Sequence, residues 1–109
     1  MMKKIRLFAT VCGVVYAVMA KPSFAADETT VNIDNFAFTP AQVTVTAGTK
    51  VVFINRDDIP HNVVGETVKF HSKALDTEES FAFVFDRPGE IVYFCGLHPQ
   101  MKGEIKVTP

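Results

Sequence analysis

From about Thr30 onward, apolar residues fall in short runs rich in Val, Ile, Thr and Phe, punctuated by Gly, Pro, Asn and Asp, and helical periodicity is absent from them. That pattern predicts an all-β domain of about eight strands, in the manner of an antiparallel sandwich or barrel. Val31 to Ile33 opens the series. In Gln42 to Thr46, Val43 and Val45 point inward while Gln42, Thr44 and Thr46 point outward, and Ala47-Gly48 turns the chain. Lys50 to Asn55 carries Val51, Val52, Phe53 and Ile54, apolar on both faces, which places it in the middle of its sheet. His61 to Val64 and Val68 to Phe70 are short strands. Ser80 to Phe85 sets Phe81, Phe83 and Phe85 on one face, predicted to be core. Pro88-Gly89 is a turn, Glu90 to Cys95 follows, and Gly103 to Val107 closes the sheet. The segment 70–79 is irregular, with room for one helical turn at Ala74-Leu75-Asp76. With no Trp in the chain, Phe rings fill the space between sheets about 10 Å apart, and Phe36 and Phe38 are assigned to that core.

Residues 1–25 follow another logic. Lys3, Lys4 and Arg6 precede an apolar run, Leu7 to Ala20, which ends in Lys21-Pro22 and then Ser23-Phe24-Ala25. This is the order of a secretory signal peptide, with small residues three and one positions before a cut after Ala25, so that the exported domain spans 26–109. The run falls short of the roughly 18 to 20 residues that cross a bilayer, which favours cleavage over a lasting membrane anchor. Cys12 leaves with the signal, so Cys95 has no partner for an intramolecular disulfide. A domain of this size without a disulfide calls for another staple, and a metal can supply it. Four of the eleven basic residues lie in the signal, leaving seven against twelve acidic ones, a formal charge of −5. That sign excludes nucleic acid as a partner class and is compatible with a basic protein.

The chemistry sits in Cys95-Gly96-Leu97-His98-Pro99-Gln100-Met101, where a thiol, an imidazole and a thioether share one tight loop. One loop cannot surround a metal, so a distant ligand is expected, and His61 follows a turn, Asp57-Asp58-Ile59-Pro60, at the start of its strand. Two imidazoles and a thiolate with a weak axial thioether suit one electron-transfer copper cycling between Cu(I) and Cu(II), whereas structural zinc takes four strong Cys or His donors. The sequence has no Ser/His/Asp set, no acid-base carboxylate pair and no Gly-rich phosphate loop, and is therefore read as a carrier rather than an enzyme. Two rivals are a Cu(I) carrier or chaperone and a metal-free interaction domain.

Asn55-Arg56 through Pro60-His61-Asn62, with Tyr93-Phe94-Cys95 and His98-Pro99-x-Met101-x-Gly103, resembles the type 1 copper proteins of the plastocyanin and amicyanin family over roughly Thr30 to Val107. The two residues between His98 and Met101 make the loop similar to that of amicyanins. The resemblance implies a Greek-key β-sandwich, a copper site at one pole held by His61, Cys95, His98 and Met101, and electron shuttling in the periplasm as a monomer, from a dehydrogenase to a c-type cytochrome. Gly96, Leu97 and Gln100 depart from the Thr, Pro and Phe usual in amicyanins, at positions that shape docking and potential. Asn62 is expected to bond across to the Cys95 loop and hold the ligand segments in register. His98 is expected to emerge through an apolar patch with Leu97, Pro99 and Pro60. His71 is assigned to the surface, and Asp57-Asp58 and Glu78-Glu79 are read as solvated loop charges.

Overall fold

The structure, a computed structural model, describes residues 27–109; the predicted signal peptide, its Cys12 and the first residue after the expected cut, Ala26, lie outside the described residues. Eight strands make up the fold: β1 (Glu28–Asp34), β2 (Ala37–Thr39), β3 (Gln42–Thr46), β4 (Thr49–Asn55), β5 (Val64–Gly65), β6 (Ser80–Phe85), β7 (Gly89–Phe94) and β8 (Lys102–Thr108). They form two four-stranded sheets, ordered β2-β1-β4-β6 and β3-β8-β7-β5.

β4 is flanked by β1 and β6, as its two apolar faces require. Its inward side chains Val51 and Phe53 meet Val31 and Ile33 of β1, and the facing sheet contributes Ile91, Tyr93, Ile105 and Val107, all buried. Burying each such side chain stabilises the fold by about 1.5–3 kcal/mol before chain entropy is counted. Tyr93 spans the layers, edge-on to Phe53 (ring centroids 5.2 Å) and to Phe38 (4.7 Å). On β6 the predicted face forms: Phe85 is buried, and Phe81 and Phe83 are half-buried against the core, where Phe83 stacks on Phe70 at 4.8 Å.

The sheets are mixed rather than purely antiparallel. β1 runs parallel to β4, with Ile33 opposite Asn55, and β3 runs parallel to β8, with Val43 opposite Ile105. β3 crosses to the second sheet, so β4 returns beside β1 in the same direction. Alternation along a strand fixes which face is buried but not which way its neighbour runs.

Several local expectations change. The β1–β2 hairpin was not anticipated, and its turn is Asn35-Phe36, with φ of 53° and 58°. Positive φ at both central residues is what the tightest hairpins require, and Asn tolerates it while a bulky Phe is an outlier there. Phe38 is core, but Phe36 is not: it is 49% exposed. Of the predicted strand His61 to Val64 only Val64 is strand, continuing into Gly65 as β5, and Val68 to Phe70 is no strand. Ala74-Leu75-Asp76 does not turn into a helix, because the Leu75 backbone pairs with His61: the Leu75 N–H donates to the His61 carbonyl at 2.7 Å and the His61 N–H to the Leu75 carbonyl at 3.3 Å.

Candidate metal centre

β7 and β8 are paired up to Phe94 and Lys102, so residues 95–101 must reverse the chain at that end of the sheet. They do it in two consecutive turns. The His98 N–H donates to the Cys95 carbonyl (3.2 Å), the Met101 N–H to the His98 carbonyl (2.9 Å), and the Cys95 N–H to the Met101 carbonyl (3.1 Å). The spacing C-x-x-H-x-x-M is thus one donor residue at each turn boundary. His61 comes from the segment after β4, where the buried Asn55 amide donates to the carbonyls of Ile59 (2.9 Å) and Leu75 (2.8 Å) and so shapes the approach to His61.

The two segments meet. Cys95 Sγ lies 3.7 Å from His61 Nδ1 and 3.8 Å from His98 Nδ1, and one donor atom from each of the three residues falls within 4.8 Å of the others. His61 and Cys95 are fully buried and His98 is half-buried. With sulfur bonds of about 2.3 Å and nitrogen bonds of about 2.0–2.1 Å, as zinc makes, sulfur and nitrogen donors around one trigonal-to-tetrahedral ion stand about 3.5–3.8 Å apart. The observed separations fit that size, and the thiolate–imidazole set is right for copper. Met101 closes the loop and is buried, 4% exposed.

Asn62 does what the sequence predicts: its Oδ1 accepts the Gly96 N–H at 2.6 Å. Its own backbone N–H donates to Cys95 Sγ at 3.4 Å. A Cβ at Gly96 would crowd the Asn62 amide at 3.2–3.3 Å, so the glycine permits the close approach.

Two residues near the site escaped the sequence reading. Asp57 is no free loop charge: its side chain is 12% exposed and Oδ2 lies 2.8 Å from His61 Nε2. Burial pushes the Asp57 carboxyl up, but hydrogen bonds from the Phe36 and Asn35 amides, then the His61 ring, outweigh it and leave the group below its ordinary value. Phe36 stands edge-on to both imidazoles, 5.4 Å from the His61 ring and 5.2 Å from that of His98. An Asp four residues before the His and an Asn-aromatic pair at a hairpin turn were the only signals available. The other assignments hold, since His71 and Asp58 are exposed, and Glu78 and Glu79 are exposed in ion pairs with Arg56 and Lys73.

A Cys-His-His cluster, buried but for the half-exposed His98 and joined in its loop by Met101, defines a small all-β domain with a potential mononuclear copper site. Comparison with known proteins agrees: the cupredoxin-like domain family matches residues 9–107, and the chain belongs to that family. Amicyanin from Paracoccus versutus is 32% identical over 95 residues, covering 82% of this chain and 71% of that protein. A purple cupredoxin from Nitrosopumilus maritimus superposes with a TM-score of 0.70 at 26% identity, over 73% of this chain and 99% of that one. The copper-containing nitrite reductase from Thermus scotoductus SA-01 superposes with a TM-score of 0.74 at 30% identity, over 83% of this chain but only 24% of the enzyme. The fold is therefore a cupredoxin sandwich, as expected from the motif.

Proposed function

We propose that this protein is an exported electron carrier, and not an enzyme, that moves single electrons through one copper held by His61, Cys95, His98 and Met101. The observation that carries the reading is the position of a fully buried thiol within 3.8 Å of two imidazole nitrogens from separate segments. Copper, when bound, supplies the one-electron couple between Cu(I) and Cu(II). The chain's own part is to hold the donors still, and the turns of 95–101, the Asn62–Gly96 bond and the Asn55 amide bonds do that from three sides.

His98 is the donor that reaches the surface, with Leu97 and Phe36 exposed in its neighbourhood. No acidic residue falls between Cys95 and Lys102, although the domain as a whole is acidic. An apolar, locally uncharged port suits the brief, small-area encounters of redox partners. By analogy with amicyanin the partners are a dehydrogenase as donor and a c-type cytochrome as acceptor, and the compartment is the periplasm, reached through residues 1–25 as a cleaved signal. Residues 26–109 then act as a monomeric domain without stable membrane insertion.

Cu(II) titration of the purified domain tests the reading. An intense thiolate-to-copper visible band that bleaches and returns in a one-electron cycle is the expected result. Binding of Cu(I) alone would instead indicate copper delivery, and no binding at all would leave only a scaffold.

A further inference from the structure

β6 is the last strand of its sheet: β4 lies along one side of it and, among the described residues, no strand along the other. The Gly48 and Asn55 N–H groups donate to the carbonyls of Phe85 (2.7 Å) and Glu79 (3.0 Å), so residues 79, 81, 83 and 85 turn their peptide groups toward β4. Those of Ser80, Ala82 and Val84 point the other way, and all three residues are exposed. Such an edge is a template for another strand, and folds usually blunt it with shortness, charge or Pro. β2 and β5 are short, with three and two residues, and β3 turns Gln42, Thr44 and Thr46 to solvent. β6 has six residues, Ser-Phe-Ala-Phe-Val-Phe, and none of these safeguards. Beside it, Val68 and Val84 are exposed over an apolar groove that Phe83, Phe85 and Ile91 complete.

Spacing and charge select the occupant. With a two-fold axis at Phe83, antiparallel pairing of β6 with its own copy puts Ala82 opposite Val84 and Ser80 opposite Asp86, each with its peptide groups aimed at the other. Phe83 then faces Phe83 of the second copy, Phe81 faces Phe85, and Glu79 faces Arg87. Arg87 is exposed and has no ion-pair partner among the described residues. Glu79 engages Lys73 and the Asp76 amide through Oε1 alone, which leaves Oε2 for a second cation. By symmetry the Glu79–Arg87 pair forms twice. Other registers are worse. An axis at Ala82 sets Glu78 against Asp86, an axis at Val84 sets Pro88, which has no N–H, against Ser80, and an axis between two residues faces outward peptide groups with inward ones.

We propose that β6 joins a second copy of this chain edge to edge, extending one four-stranded sheet across a two-fold axis. An interface of one strand pair is small and both copies are net negative, so the association is weak and the single domain is the state at low concentration. The Glu79 end of β6 lies beside Asn55, toward the metal centre, so antiparallel pairing sends the two centres to opposite ends and leaves both free. The inference goes beyond the electron-carrier reading and needs no copper.

Sedimentation equilibrium of the metal-free exported protein tests it. Wild type should move from monomer mass toward dimer mass between micromolar and millimolar concentration. Val84→Lys charges the edge and Arg87→Glu turns two ion pairs repulsive, and each should weaken the association by about tenfold or more. Glu79→Lys should weaken it likewise, yet an equimolar mixture of Arg87→Glu and Glu79→Lys should associate as wild type does, because both ion pairs reappear between unlike copies. Leu97→Lys, at the metal pole, should leave the association unchanged. All these side chains are exposed, so the fold persists, and any one variant decides the matter if another fails to fold. A wild type that stays monomeric throughout leaves the edge to a strand of another protein and overturns the proposal. So does association of Val84→Lys at wild-type strength, its loss in Leu97→Lys, or a mixture no more associated than its two components.

Discussion

Asn62 and Gly96 are joined by a 2.6 Å bond from the Gly96 amide to the Asn62 side-chain oxygen, which ties the residue after one imidazole to the residue after the thiol. Asn62→Ala removes that bond from an amide whose residue is exposed, at a cost of about 0.5–1.5 kcal/mol. Urea unfolding of the metal-free protein should show that loss, and a change below a few tenths would mean the bond does not hold the segments together.

Cys95→Ala should abolish the intense visible band of the copper-loaded protein, because no other thiol lies in the 27–109 domain. The readout is an absorption spectrum after Cu(II) addition. A band of unchanged intensity would remove Cys95 from the ligand set.

Met101→Ala should retain both copper and the band while displacing the reduction potential, since the thioether is the weak member of the set. Its side chain is also buried, so the metal-free protein should lose about 2–5 kcal/mol of stability to the transfer and cavity terms. Voltammetry and denaturant unfolding read the two effects separately. Loss of copper together with the band would make Met101 a primary ligand instead.

Among the described residues nothing hydrogen-bonds the buried Tyr93 hydroxyl, and burial raises its ionisation well above the ordinary value of 10.0. The folded state therefore keeps the proton at a pH where the unfolded chain gives it up. The stability so contributed is fully present below about pH 10 and is lost progressively as pH climbs above it. Tyr93→Phe should flatten that alkaline decline relative to wild type. At neutral pH the variant should be as stable as wild type or more so, by up to ~1–3 kcal/mol, because a lone desolvated hydroxyl is removed. Unfolding midpoints from pH 7 to pH 11 for the two proteins decide the matter, and parallel curves would show that the hydroxyl is solvated.

The features legible in the sequence were those set by local spacing. β4 could be placed inside its sheet because Val51 to Ile54 is apolar on both faces, and the Cys95–Met101 loop could be identified because its donors are adjacent in the chain. What escaped depends on contacts between remote segments. Asp57 looks like any loop carboxylate until the hairpin turn, 21 and 22 residues upstream, supplies its two amides. Hydrophobicity puts Phe36 in the core, yet its positive φ sends the ring to the imidazoles instead. The segment 70–79 has no periodicity of its own because the His61 backbone dictates its path through Leu75.

The two parallel pairings have a bearing on how the protein folds. β3 finds β8 only after the intervening chain has been gathered in, Gln42 and Glu104 being 62 positions apart, whereas β7 and β8 zip up as neighbours. Topologies dominated by such remote pairings reach the native state in milliseconds to seconds, long after a hairpin closes in microseconds. The thiol-bearing half of the centre therefore belongs to a locally connected hairpin, while the buried imidazole, 34 positions away in sequence, joins it through the remote pairing of β5 with β7. The free thiol, fully buried in the folded domain, thus owes its shelter from solvent to contacts that only the remote pairings supply.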